Sequence, residues 1–274
     1  MSVPNVTLNN EVTMPQLGFG VWLMDDAEAA ESVVTALRAG YRSVDTAMIY
    51  RNEEGTGRAL RASGVPRAEV FVTTKVWNTD QGHDPALRAF DASMARLGLD
   101  VLDLYLIHWP APAQDRYVET WRALERLHAD GRVRAIGVSN FTVAHLRRLL
   151  DETGVVPAVN QIELHPYLAQ AELRAFHAEH GIVTEAWAPL GQGKSLLDDP
   201  VLRRIGAAHG RSPAQVVLRW HLRLGNVVIP KSVTPSRIAE NIDVFDFELT
   251  DAEMAEIGAL DEGRRLGPDP EVVS

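Results

Sequence analysis

Eight short apolar runs alternate with eight helix-like stretches along almost the whole chain. An apolar run followed by an amphipathic stretch is the repeating unit of a parallel sheet covered by helices. The runs lie at 17–20, 42–45, 70–75, 101–108, 133–139, 158–161, 182–187 and 227–229. The helical stretches lie near 27–39, 52–63, 85–97, 116–130, 142–151, 170–179, 213–222 and 235–242. Since a closed barrel of this kind takes about 250 residues and the chain has 274, the pattern favours an α/β fold, a (β/α)8 TIM barrel. A doubly wound open sheet is the alternative.

Three further segments fall outside this repeat. Residues 7–12 suit an N-terminal β-hairpin with an Asn-Asn turn, which could cover the barrel floor. Two extra helices are predicted, one at 199–209 and one at 251–260, and the tail after residue 263 is predicted to be a loop. No linker or change in composition divides the chain, so residues 1–274 are predicted to form a single domain.

Composition excludes several classes of function. The net charge of −10 argues against a general nucleic-acid surface, and no apolar stretch approaches the length of a membrane helix. Cysteine is absent, which removes disulfides and cysteine zinc sites. No metalloprotease motif is present, and His177 and His180 are predicted to lie on the solvent-facing side of a helix. We therefore expect a cytoplasmic monomer with a small-molecule partner and no metal, nucleic acid or membrane.

Polar residues stand at the C-terminal ends of several predicted strands, where barrel active sites lie. They include Asp45, Lys75 and His108, and Tyr50 follows Asp45 closely. Lys75 is the hardest to explain structurally, because an unpaired buried ammonium is costly. Taken singly, Asp45 could cap a turn, Tyr50 could be a surface residue and His108 a satisfied core group. Taken together, they indicate a proton-transfer site.

Aromatic residues follow some of the same strand ends. Four of the six tryptophans are placed there: Trp22, Trp77, Trp109 and Trp187. Trp121 and Trp220 lie inside helical patterns and are predicted to be core. A packed aromatic lid is one interpretation of the four. The interleaved polar groups favour a substrate pocket instead.

Reversible carbonyl reduction is the chemistry that needs this set of polar groups. Hydride addition to a carbonyl carbon leaves charge on the oxygen, which must receive a proton. A free tyrosine, with a pKa of about 10, is poorly matched to neutral pH, and a nearby ammonium lowers that pKa. In this hypothesis Asp45 holds Lys75 charged beside Tyr50, while His108 donates a hydrogen bond to the carbonyl oxygen.

A second motif predicts an anion site. Thr234 can cap a helix whose first residue is Pro235, and Lys231 and Arg237 lie beside that N-terminus. Two cations and nearby hydroxyls suggest a terminal phosphate monoester, although an exposed basic turn is the alternative. The G-x-G-x-x-G fingerprint is missing, and residues 188–195 lack the first glycine of a P-loop.

At these residues the chain resembles the aldo-keto reductases, in particular small bacterial members similar to 2,5-diketo-D-gluconate reductase. The resemblance covers nearly the full chain. The motifs that carry it are residues 40–47 with Tyr50, the strand that ends in Lys75, and residues 103–110, 137–141 and 229–232.

The resemblance implies a role for each site residue. It implies Tyr50 as proton donor, Lys75 and Asp45 as groups that tune it, and His108 as the group that orients substrate. For the nicotinamide and pyrophosphate of NADPH, it implies Ser139, Asn140, Gln161, Trp187, Leu190 and Gly191. For the 2′-phosphate and adenine, it implies Lys231, Ser232, Val233, Thr234, Arg237, Glu240 and Asn241. The implied substrate pocket is lined by Trp22, Tyr50, Trp77, His108 and Trp109.

The expected activity is NADPH-dependent reduction of aldehydes and ketones. The segments after His108 and after Leu260 are short, which predicts a shallow pocket for varied carbonyl substrates, sugar-derived or α-dicarbonyl compounds included. Two alternatives remain open. One is an aldolase that uses Lys75 as a Schiff-base nucleophile, and the other is a redox-sensing subunit that binds NADPH but turns over slowly.

Overall fold

Ten strands and ten α-helices form the protein in a computed structural model, which describes residues 3–274. The strands are β1 (Asn5–Thr7), β2 (Thr13–Pro15), β3 (Phe19–Gly20), β4 (Ser43–Asp45), β5 (Phe71–Val76), β6 (Leu102–Ile107), β7 (Val133–Ser139), β8 (Val159–Glu163), β9 (Val183–Trp187) and β10 (Val227–Val228). Strands β3 to β10 pair in chain order, and every pair is parallel.

The sheet closes on itself between its first and last strands. Leu17 forms a parallel bridge with Val228. The N–H of Gly18 donates to the carbonyl of Val228 at 2.8 Å, and the N–H of Val228 donates to the carbonyl of Gln16 at 3.0 Å. The predicted (β/α)8 barrel is therefore confirmed, and the open sheet is excluded.

The helices follow the predicted order. They are α1 (Asp26–Ala39), α2 (Glu53–Ala62), α3 (His83–Leu97), α4 (Tyr117–Ala129), α5 (Val143–Glu152), α6 (Ala171–Glu179), α7 (Pro200–His209), α8 (Pro213–Arg223), α9 (Pro235–Ile242) and α10 (Asp251–Gly258). Helices α7 and α10 are the two predicted extra helices. Capping boxes at Ser212 and Thr250 satisfy free N–H groups where α8 and α10 begin.

The N-terminal hairpin closes one end of the barrel. Strands β1 and β2 are antiparallel, and the Asn9-Asn10 pair lies in the turn between them, as predicted. Leu8 and Met14 are buried and belong to the same apolar cluster as Leu104 and Leu106, which alternate along β6. The floor of the barrel is therefore apolar. The polar strand ends lie at the opposite end of the barrel.

The prediction for His177 is wrong. Its ring is fully buried, and its nitrogens lie 2.9 Å from Asn160 Nδ2 and 2.8 Å from Thr184 Oγ1. Helix α6 turns this residue toward β8 and β9, where both ring nitrogens find partners, so a buried histidine is tolerated. Burial lowers the pKa of His177 to about 3, so the ring is neutral at physiological pH.

None of the helices formed by residues 3–274 combines the length and the apolar character of a membrane-spanning segment.

Candidate active site

Lys75 and Asp45 form a buried ion pair inside the barrel. Lys75 points inward from β5, and its Nζ donates to Asp45 Oδ1 on the neighbouring β4 at 2.6 Å and to the carbonyl of Thr46 at 2.9 Å. Both side chains are almost completely buried. Burial lowers the pKa of Lys75, but the attraction of Asp45 and Tyr50 outweighs it, so the pKa lies above its ordinary value. The structure thus brings this predicted pair together with the lysine charged.

Tyr50 lies in a short 3-10 turn that follows β4, at residues Met48–Tyr50. The Lys75 Nζ is 5.2 Å from the centre of the Tyr50 ring. Burial raises the pKa of Tyr50 above its ordinary value, and the positive charge of Lys75 opposes this shift without cancelling it. The expectation of a net lowered pKa is therefore wrong for this structure. The hydroxyl therefore keeps its proton at neutral pH, and the Lys75 ammonium limits the rise in pKa that burial causes.

His108 follows β6 and completes the predicted group of four. Its ring makes an edge contact with Tyr50 at 5.6 Å and with Trp77 at 5.1 Å between ring centres. Burial, aided by the charge of Lys75, holds the pKa of His108 well below its usual value. The imidazole is neutral at physiological pH. Its single N–H can donate a hydrogen bond that orients a carbonyl, but the ring is not an imidazolium that could transfer a proton to the substrate.

The four predicted rim tryptophans differ in how open they are. Trp22 is 44% exposed, whereas Trp109 is only 8% exposed and stacks on His108 with ring centres 6.5 Å apart. Trp77 and Trp187 are partly buried. Trp22 is thus the most open of the four, while Trp109 is covered and lies against the imidazole.

A chain of hydrogen bonds joins the residues at the ends of β7, β8 and β9. Ser139 Oγ donates to the carbonyl of Gln161 at 2.7 Å, and Asn140 Nδ2 donates to the carbonyl of His108 at 3.0 Å and to Ser139 Oγ at 3.1 Å. The indole N–H of Trp187 donates to Asn140 Oδ1 at 2.8 Å. Asn140 has a φ of 63°, a left-handed conformation that asparagine tolerates better than most residues. This bonding locks the positions of the groups predicted to meet a nicotinamide.

Glu185 also belongs to this region, although no sequence motif indicated it. It is fully buried on β9, and its Oε2 accepts from Gln161 Nε2 at 2.9 Å. The same nitrogen donates to Asp45 Oδ2 at 2.8 Å. Burial, followed by the charge of Asp45, raises the pKa of Glu185 to about 8. The signal was available, because an acidic residue inside an apolar run is as unusual as Lys75 in its own run.

The predicted anion site lies between β10 and α9. Lys231 and Arg237 are exposed, and within residues 3–274 neither forms a salt bridge. Val233 is also exposed. Thr234 occupies the N-cap position of α9, but its side chain does not cap the helix. The backbone N–H of Thr234 donates to the hydroxyl of Ser232 at 3.1 Å. The threonine hydroxyl is therefore not used by the helix.

The remaining predicted cofactor residues border this site or the turn after β9. Glu240 accepts a hydrogen bond from the hydroxyl of Ser212, and Asn241 is nearly buried on α9. Leu190 is partly buried, and Gly191 has a φ of 61°. A Cβ on Gly191 would lie 2.9 Å from the Leu196 Cβ, so the turn there requires glycine.

Lysine is rare in this chain, and its positions are a second sequence signal of the site. Among 27 basic residues, the only lysines are Lys75, Lys194 and Lys231. Two of the three, Lys75 and Lys231, lie in predicted sites. Because an ammonium is more compact than a guanidinium and bonds differently, the use of lysine at these two positions marks them out in a chain that otherwise uses arginine.

Comparison with known proteins agrees with the closed barrel. Residues 16–262 match the model of the aldo/keto reductase family. The chain therefore belongs to that family of oxidoreductases, as its motifs predicted. Among relatives, it is 58% identical over 267 residues to an aldo-keto reductase of Mycolicibacterium smegmatis, with 97% of each chain covered. It is also 54% identical over 270 residues to methylglyoxal reductase DkgA of Yersinia pestis, covering 98% of this chain and 97% of the relative.

A solved structure of a similar protein has the same fold. A mutant of Gox0644 in complex with NADPH superposes with a TM-score of 0.96 at 51% identity, and 100% of each chain is covered.

Proposed function

We propose that this protein reduces aldehydes and ketones to alcohols with NADPH, and that Tyr50 is the proton donor. The observation that carries the proposal is the assembly of Tyr50, Lys75, Asp45 and His108 at the C-terminal end of the barrel strands. Family membership and the NADPH complex of a structural relative support it independently.

The chemistry follows from the charge of each group. Bound NADPH supplies the hydride, and the oxygen that becomes negative takes the proton of the Tyr50 hydroxyl. The phenolate left behind is stabilised by the Lys75 ammonium, which Asp45 holds in place. Neutral His108 offers a hydrogen bond that fixes the carbonyl oxygen near Tyr50.

The cofactor preference rests on the cations between β10 and α9. Lys231 and Arg237 have no carboxylate partner within the described part of the chain, and the N-terminus of α9 adds free N–H groups. This combination fits the 2′-phosphate of NADPH better than a neutral ribose. The hydroxyls of Ser232 and Thr234 lie in the same turn.

Replacing Arg237 by alanine is therefore expected to weaken NADPH binding about tenfold or more, the value of a hydrogen bond to a charged group. NADH binding should change little, because NADH lacks the phosphate. Quenching of tryptophan fluorescence measures both dissociation constants. Arg126→Ala is the control, since Arg126 on α4 is exposed but paired with Asp130, which follows the helix. Equal losses for the two cofactors would contradict a 2′-phosphate contact.

The proposed substrates are small α-dicarbonyl compounds, with sugar-derived ketones as a second group. Two kinds of observation support this: relatives named methylglyoxal reductase, and an open rim at Trp22. The test follows NADPH oxidation with methylglyoxal, a diketo sugar acid and an aromatic aldehyde. We expect the highest kcat/KM with methylglyoxal. Tight NADPH binding with negligible oxidation in every case would favour the redox-sensing alternative.

The aldolase alternative is disfavoured by the state of Lys75. A Schiff-base lysine must lose its proton to attack a carbonyl, whereas the ion pair with Asp45 holds the pKa of Lys75 above its ordinary value. Borohydride in the presence of substrate should therefore leave Lys75 unmodified.

A further inference from the structure

Glu185 is a buried carboxyl group that the proposed mechanism does not use. It points into the barrel from β9, two residues before Trp187. A fully buried acidic residue is rare without a partner that justifies it. Only one of its oxygens has a partner within residues 3–274, because Oε2 accepts from Gln161 and Oε1 has none.

We propose that Glu185 is a positioning residue that orients the side-chain amide of Gln161 so that its Oε1 meets the carboxamide of the nicotinamide. The inference rests on the proposed function, because it assumes that NADPH binds at the C-terminal end of the barrel strands.

Two hydrogen bonds from one nitrogen fix the orientation of the Gln161 amide. A glutamine Nε2 has two hydrogens, and here one points to Asp45 Oδ2 at 2.8 Å and the other to Glu185 Oε2 at 2.9 Å. Turning the amide over would place its oxygen against the Asp45 carboxylate, which can only accept hydrogen bonds and repels it. Gln161 Oε1 is therefore directed away from both carboxyl groups and remains an acceptor for a carboxamide N–H.

The charges around Glu185 explain why it can occupy this position. The facing groups are Asp45 from β4, Lys75 from β5 and Tyr50 from the turn after β4. On β10 the paired residue is the apolar Val227. Since Lys75 and Asp45 neutralise each other, a protonated Glu185 adds no charge. An ionised Glu185 would add a negative charge near Tyr50. That charge would raise the pKa of the Tyr50 phenol and so slow the transfer of its proton.

The first test compares two ligands. Glu185→Leu removes the acceptor, so the Gln161 amide can rotate, and the NADPH dissociation constant should rise about fivefold, the value of one hydrogen bond. The affinity for 2′-phosphoadenosine 5′-diphosphoribose, which lacks nicotinamide, should stay the same. Val183→Ala, on the same strand, controls for general loosening of β9. Unchanged NADPH affinity in Glu185→Leu, or an equal loss for both ligands, would overturn the proposal.

The second test separates hydrogen bonding from titration. Glu185→Gln keeps an acceptor for Gln161 and should restore NADPH affinity to within about twofold of the wild type. Because burial raises the pKa of Glu185 to about 8, wild-type kcat/KM for carbonyl reduction should fall as the pH rises through that value. Glu185→Gln should remove this step. Superimposable pH profiles of the two proteins would sink the idea.

Thermal unfolding gives a readout that does not depend on turnover. The folded-state pKa of Glu185 lies above an ordinary glutamate value of about 4.3, so its protonation favours the folded state. That contribution is fully present below the ordinary value and is lost as the pH rises through about 8. The Tm of Glu185→Gln should therefore rise relative to wild type between acidic and alkaline pH. A constant difference in Tm would contradict a buried, titrating Glu185 even if no carbonyl substrate were found.

Discussion

Tyr50→Phe is expected to lower kcat for carbonyl reduction by about 10²–10⁴-fold, the usual contribution of general acid catalysis. The substitution removes only the hydroxyl, so the ring can still pack edge-on against His108. Since the proposed NADPH contacts lie elsewhere, the dissociation constant for NADPH should be nearly unchanged. Steady-state kinetics and fluorescence titration together distinguish a lost proton donor from a lost cofactor site.

Tyr105→Phe is the matched control for this experiment. Tyr105 is fully buried on β6, packs against Phe90 with ring centres 5.0 Å apart, and its hydroxyl has no hydrogen-bond partner within residues 3–274. Deleting that hydroxyl should leave turnover intact. Turnover of Tyr50→Phe close to that of Tyr105→Phe would eliminate Tyr50 as the proton donor.

Lys75→Met is expected to lower both activity and stability. The variant leaves Asp45 buried without its cation, and removing one partner of a buried ion pair costs about 3–5 kcal/mol. The proton donor also loses the charge that stabilises its phenolate, so turnover should fall strongly even though the Tyr50 hydroxyl remains. Urea unfolding measures the stability change, and NADPH oxidation measures the activity.

The double variant Asp45→Asn with Lys75→Met separates these two effects. Because no charge is then left unpaired, much of the lost stability should return. Activity should not return, because no ammonium faces Tyr50. A double variant that recovers turnover along with stability would show that Lys75 acts only as a structural partner of Asp45.

Much of the candidate site could be predicted because barrel strands share one direction. Once β4, β5 and β6 are parallel neighbours, Asp45, Lys75 and His108 must meet at one end of the barrel. Lys75 drew attention because an ammonium in an apolar run needs a partner. Glu185 has the same property on β9, but no motif pointed to it. Its bond to Gln161, its register partner on β8, depends on the pairing of the two strands and on the orientation of both side chains.

Other features depend on summed environments and could not be predicted from individual residues. The pKa of Tyr50 is raised because burial exceeds the effect of one ammonium, and that balance requires every neighbouring atom. His177 is buried because α6 turns it toward two polar partners on adjacent strands. Trp109 is covered, with its ring stacked on His108, although Trp77, which also contacts His108, is partly open.

The order of strands and helices, and the grouping of Asp45, Lys75 and His108 at one end of the strands, could be predicted from the sequence alone, since hydrophobic periodicity is local and strand direction then places the ends together. The sequence favoured a closed barrel over an open sheet, and the bridge between Leu17 and Val228 decided between them. Only the tertiary structure decided which buried groups are charged, which hydrogens of Gln161 are used and which tryptophan stays open. The physical reason is that desolvation and hydrogen bonding depend on neighbours distant in sequence, which only the folded chain brings together.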